Sequence, residues 1–151
     1  LKCGCGGIGH WEAYCSGRNL PRFVKVLVDE LKAKDSEIRY LMKSCNYELD
    51  NLTARAIYEG AEKGDSLCLK ILDEVNDLNA RGFACIINAY DPELISVGGA
   101  ITLNHPSLVL DPIIKGVKKY IAVRPPRIMI TPLGEDIVLY GAFALISRLL
   151  S

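Results

Sequence analysis

A chain of 151 residues, half of them hydrophobic, is long enough to bury one ordinary core. Lys and Arg number 18, equal to Asp and Glu, so no global charge draws the chain to nucleic acid or to an anionic membrane. No apolar run is long enough to span a bilayer, and no membrane partner is expected.

The chain opens with LKCGCGGIGHWEAYCSG, the densest group of metal-binding residue types in it. Cys3, Cys5 and His10 lie among glycines, which let the backbone wrap an ion in conformations other residues resist. Two readings stand: a structural zinc loop, or a glycine-rich end with reduced thiols. Glu12 opens a short helix predicted over 12–15, where it is either a charge that complements the helix dipole or a carboxylate held for a polyol. Cys15 on that helix is either a fourth ligand or a core-facing residue.

Asn19 is the predicted N-cap of the next helix, with Pro21 in its first turn and Val24, Leu27, Val28 and Leu31 at helical spacing. A short amphipathic piece follows around Ile38, Leu41 and Met42. A helix over about 53–63 ends at Gly64, and Asp65 caps a long one over about 66–90. In the latter, Ile71, Val75, Leu78, Gly82, Ile86 and Ala89 step by three or four, which predicts one continuous buried stripe. Gly82 implies close packing against another element, and Asp91-Pro92 closes the helix.

Two short apolar runs, 94–97 and 127–130, read as buried strands. Gly98-Gly99 after the first is either a plain turn or an edge that admits a nucleotide close to the backbone. Asp111-Pro112 predicts a helix start, with Ile113, Ile114 and Val117 on its face. Lys115, Lys118 and Lys119 read as a solvated face, and His105 as solvent-exposed or locally hydrogen-bonded. Asp136 is the predicted cap of a last helix whose face is Val138, Ala142, Leu145 and Leu149. Two strands do not make an independent sheet, so further strands are expected from additional chain or another subunit. With the start at Leu1, inside a motif, this gives the expectation of one piece of a longer protein.

Six cysteines in a chain with this much core point to a reducing, cytoplasmic setting rather than to disulfide staples. Cys68 and Cys85 read as small core residues.

The run CGCGGIGHWEAYCSG resembles the signature of the ROK (repressor, open reading frame, kinase) family: Cys-x-Cys-Gly-x-x-Gly-Cys-x-Glu, then an aromatic and Ser-Gly. Cys3, Cys5, Gly6, Gly9, Glu12, Tyr14, Ser16 and Gly17 match with spacing preserved, and His10 stands where a third cysteine is expected. LTARAIYEGAEKGD, DPELISVGGAIT and LGEDIVLYGAFALI are similar, in order, to the family's C-terminal half.

The resemblance implies an α/β fold, a ribonuclease H-like lobe of the actin, sugar-kinase and Hsp70 superfamily, incomplete and helix-rich here. Residues 1–151 would be the C-terminal portion, with a metal loop (1–17), a helical region (18–90) and a nucleotide-side α/β region (91–151). It implies ATP-dependent phosphorylation of a glucose-like hexose, with Mg²⁺ and a structural Zn²⁺ held by Cys3, Cys5 and His10. Glu12 would contact sugar hydroxyls; Gly98 and Gly99 would line the adenosine site, with Gly141 in the closing element beside it. The family's catalytic aspartate and its upstream zinc-binding histidine match no residue here, so the chain alone is expected to be inactive and to need the N-terminal half. A homo-oligomer is expected. The alternatives are a sugar-responsive repressor, in which a helix-turn-helix elsewhere meets nucleic acid, and a non-catalytic zinc-stabilised module.

Overall fold

Side-chain caps and one glycine set the boundaries of two of the central helices. The computed structural model describes residues 1–149 and contains ten main elements: α1 (Glu12–Cys15), α2 (Leu20–Glu30), α3 (Asp35–Ser44), α4 (Ala54–Glu62), α5 (Ser66–Tyr90), β1 (Leu94–Val97), α6 (Ala100–Asn104), α7 (Pro106–Gly116), β2 (Arg127–Ile130) and α8 (Ile137–Leu149). The nucleotide-side region expected to reach 151 therefore ends in two residues outside the described ones.

Thr53 caps α4 by accepting from the Ala56 N–H, and Asp65 caps α5 by accepting from the Cys68 N–H. Between them Gly64 takes φ +78°, the left-handed geometry that stops α4. Asn19 has a different job from the one its position predicts. It makes no cap bond; its amide donates to the Glu12 carbonyl and to Ser16 Oγ, tying the end of α1 to the start of α2.

The core sits among α2, α3, α4, α5 and α7, with Leu20, Val24, Leu41, Ile57, Ile71, Val75, Ile87 and Ile113 fully enclosed. Each such side chain contributes about 1.5–3 kcal/mol of burial. The predicted stripe of α5 holds at Ile71 and Val75 and fails at Ile86 and Ala89, which are exposed. The second half of α5 instead buries Ala80, Phe83, Ala84 and Ile87. α7 meets α5 on the Ala80 side, where a Cβ on Gly116 would lie 2.8 Å from the Ala80 Cβ, and Ile86 is left 37 % exposed. Cys85 shares that open face and is exposed, whereas Cys68 is buried as expected. All six cysteines are free thiols.

The helix expected to begin at Asp111-Pro112 starts five residues earlier, with Pro106 in its first turn, and runs straight through Pro112. A proline there has no N–H for the Leu108 carbonyl. Asn76 of α5 fills the gap, donating from Nδ2 to Leu108 O at 2.9 Å. With the helix in this register Val109, Leu110 and Ile113 face the core and Ile114 does not.

β1 and β2 pair in parallel, with Leu94 opposite Arg127 and Val97 opposite Ile130. The strands are only half-buried, not enclosed as predicted: Ile95, Val97 and Ile128 pack on the core while Leu94 is exposed. Among the described residues the sheet has these two strands alone, with no third to flank them. α8 departs furthest from expectation. Val138, Leu145 and Leu149 of its predicted apolar face are exposed, as are Tyr140 and Phe143. Asp136 lies in a 3-10 turn ahead of it and makes no capping bond among the described residues. No described helix is long and apolar enough to cross a membrane.

Candidate functional site

The opening loop folds back on itself. Lys2 and Ile8 form an antiparallel bridge, Cys3 N–H donates to Gly7 O, and Gly6 and Gly9 take φ +92° and +78°. A Cβ at Gly7 would lie 2.5 Å from the His10 ring, so a larger residue there would displace the imidazole from its place beside Cys5. The fold thereby gathers Cys3, Cys5 and His10, whose donor atoms all lie within 4.8 Å of one another. Cys5 Sγ and His10 Nδ1 are 3.2 Å apart, close to the ~3.5 Å separation of sulfur and nitrogen on one tetrahedral zinc ion. The Gly7 backbone and Cys3 hold the exposed Cys5 thiol below its ordinary pKa, favouring the thiolate a metal needs. The set fits zinc in donor chemistry and spacing. Cys15 is not part of it: its thiol donates to Val75 O at 3.7 Å and burial pushes its pKa to about 12.

Directly after the loop, Trp11 anchors α1 to α5. Its Nε1–H donates to Asn79 Oδ1 at 2.9 Å, its ring meets Phe83 edge-on with centroids 5.6 Å apart, and it covers Gly82. Glu12 is exposed and its carboxylate has no hydrogen-bond partner among the described residues. It borders an open cavity of about 340 Å³ with Trp11, Cys15, Ser16 and Asn79.

A second cavity of about 410 Å³ lies between α4 and α6, lined by Tyr58, Glu59, Glu62, Ile101, Asn104 and His105 among others. Gly98 and Gly99 lead into α6, Gly99 with φ +103°, but neither lines this cavity, whose wall takes in Ala100 and Ile101 of that helix. A Cβ on Gly98 would touch Thr131 and Ile137 at 3.2 Å, so the strand end, the loop after β2 and the start of α8 converge there. Gly141, one turn beyond Ile137, has nothing within 4 Å of a Cβ position and is not drawn into the cavity by the described residues. His105 differs from its predicted surroundings. Its side chain is only 12 % exposed, stacks on Tyr58 at 5.1 Å, and bonds through Nδ1 to Glu62 Oε1 at 2.6 Å, a partner distant in sequence.

The segments that bear the two cavities touch. A Cβ on Gly17 would come within 3.0 Å of Ile101 Cδ1, so the turn that ends α1 rests on the helix that lines the second cavity.

Comparison with known proteins places this geometry in a class. A sequence model of the ROK family matches residues 1–148, and the chain belongs to that family. It is 35% identical over 144 residues to a glucokinase of Pyrobaculum calidifontis, covering 95% of this chain and 42% of the relative. It superposes with a TM-score of 0.79 and 31% identity on a ROK family glucokinase of Streptomyces griseus in complex with glucose and AMPPNP, covering 96% of this chain and 46% of that one. Over 96 residues it is also 30% identical to a xylose repressor of Caldicellulosiruptor bescii, covering 64% of this chain and 22% of the relative. The fold is that of the actin, sugar-kinase and Hsp70 superfamily, as the motifs implied. The chain spans less than half the length of these relatives.

Proposed function

We propose that this chain forms the C-terminal portion of an ATP-dependent hexose kinase, with glucose as the first sugar to test. The observation that carries the reading is the link just described. The Cys3, Cys5, His10 loop leads into α1 with its uncommitted Glu12, and Gly17 after α1 lies against Ile101, which lines the cavity between α4 and α6. A sugar site and a nucleotide site must be held in register for phosphoryl transfer, because positioning supplies much of its catalysis.

In this reading Glu12 accepts hydrogen bonds from hexose hydroxyls. Gly98 and Gly99 leave room for the adenosine, and Gly141 belongs to the closing element over it. Bound zinc would be held by Cys3, Cys5 and His10 and would stiffen the loop that carries Glu12. Mg²⁺ would balance the charge of the transferring phosphoryl group. The base that takes the proton of the attacking hydroxyl is an aspartate supplied by the rest of the protein, so the 151-residue chain alone turns nothing over. The exposed apolar flank of α8 supports further packing partners, in the same protein or in the expected homo-oligomer. Supply of ATP and the free thiols fit a cytoplasmic setting.

The xylose repressor similarity favours a second reading, a sugar-sensing regulator, but the glucokinase match covers more of this chain. One experiment separates them: zinc analysis with a hexose and ATP panel on the full-length protein. Stoichiometric zinc with sugar-dependent ADP formation is expected. Sugar binding with no ADP formation at any hexose would favour the regulator.

A further inference from the structure

Four polar groups stand on the wall of the cavity at Glu12, and two are already engaged. Cys15 Sγ is turned to Val75 O, and Ser16 Oγ accepts from Asn19. The Glu12 carboxylate is uncommitted. The fourth is Asn79, on α5 and only 8 % exposed. Asparagine is a poor residue for the buried middle of a helix, and its amide needs partners for both ends. Only one end has one. The indole N–H of Trp11 can only donate, so it must face Asn79 Oδ1, as it does at 2.9 Å. That fixes the flip of the amide and turns Nδ2 away from the indole. Nδ2 has no hydrogen-bond partner among the described residues, yet it is not sealed from solvent as Asn76 Oδ1 is. The opening it reaches is the cavity it lines with Glu12.

We propose that Asn79 is a second sugar-contacting residue of this site, donating from Nδ2 to one hydroxyl of the hexose while Glu12 accepts from another, and that Trp11 is the positioning residue that aims the amide. This deepens the hexose reading of the cavity and rests on it. An acceptor and a donor side by side suit adjacent hydroxyls of a pyranose, one donating and its neighbour accepting. The half-exposed indole edge gives an apolar wall for sugar C–H groups. A site built to donate to a hydroxyl also rejects the sugar that lacks it, because the buried amide is then left unpaired.

The test uses the full-length protein and compares Asn79→Ala, Trp11→Phe and Glu12→Ala by glucose KM, ATP KM, zinc content and a panel of monodeoxyglucoses. Asn79→Ala should raise the glucose KM about tenfold or more with ATP KM and zinc unchanged. The wild type should discriminate against one monodeoxyglucose in particular, and Asn79→Ala should handle that sugar and glucose alike. Trp11→Phe should raise the glucose KM less, by about threefold to fivefold, since the amide is then free to flip. If Asn79→Ala does not fold, Trp11→Phe with Asn79→Leu removes both polar partners together and takes its place. An unchanged glucose KM or an unchanged deoxyglucose profile overturns the proposal, as does a uniform loss of glucose, ATP and zinc binding, which marks a structural role. If Glu12→Ala loses glucose while Asn79→Ala does not, the hexose pocket stands and only the role of Asn79 falls. If neither variant changes glucose binding, both fall.

Discussion

The indole of Trp11 lies on the backbone of Gly82 so closely that a Cβ there would sit 2.5 Å from Cδ2 and Cε2 of the ring. The contact joins the metal loop to the longest helix of the fold and sets the height of α1, and so of Glu12, above it.

Gly82→Ala therefore carries two opposed effects. Alanine gains about 1 kcal/mol of helix propensity, and the forced displacement of the indole costs about 1–3 kcal/mol. A net loss of stability in denaturant unfolding is expected, with a shifted Trp11 emission spectrum. A stabilised variant with unchanged emission would show that the ring moves aside freely.

Pro112 and Asn76 form a second such pair. Asn76→Ala leaves the Leu108 carbonyl without a donor and is expected to cost about 1–3 kcal/mol. In a Pro112→Ala background the restored N–H reaches that carbonyl, and the Asn76 loss should shrink by at least half. A double-mutant cycle on thermal unfolding measures this, and strict additivity would argue against the compensation.

Asp77 makes the acid limb of stability predictable. Tyr120 donates to its Oδ1 at 2.6 Å and Arg81 pairs with Oδ2, and these hold its carboxyl below the usual range. A folded-state pKa below the unfolded value stabilises the fold above about pH 4, and the gain is lost as pH falls through the folded pKa. Asp77→Asn should thus lower Tm at neutral pH and show a shallower decline in acid, the two curves converging once pH has fallen through the folded pKa. A constant Tm difference across that range would remove Asp77 from the acid transition.

Much of this was legible in the sequence where a residue's meaning is local. Thr53, Gly64 and Asp65 act on their own neighbours, so α4 and α5 could be bounded, and the spacing of Cys3, Cys5 and His10 survives folding as a cluster. What was not legible depends on partners distant along the chain. Pro112 reads as a helix start until Asn76 is seen to complete its helix, and Ile86 reads as core until α4 and α7 are placed. His105 reads as solvent-exposed or locally hydrogen-bonded because Tyr58 and Glu62 lie 40-odd positions away. Trp11 and Asn79 were missed for the same reason. The one available hint was Gly82, a glycine in mid-helix three residues after Asn79, which promised a large side chain pressed against that turn. α8 forms where the periodicity predicts a helix, but Val138, Leu145 and Leu149 of the predicted face are exposed, since periodicity reports an apolar face and not what covers it.

The central claim is that Glu12 serves a sugar phosphorylated at the expense of ATP. Glucose-dependent ADP formation by the full-length protein, wild type against Glu12→Ala, tests it most directly. The expected result is turnover in the wild type and a loss of about a hundredfold or more in kcat/KM for glucose in the variant, with the KM for ATP unchanged. Equal turnover by the two proteins would contradict the account.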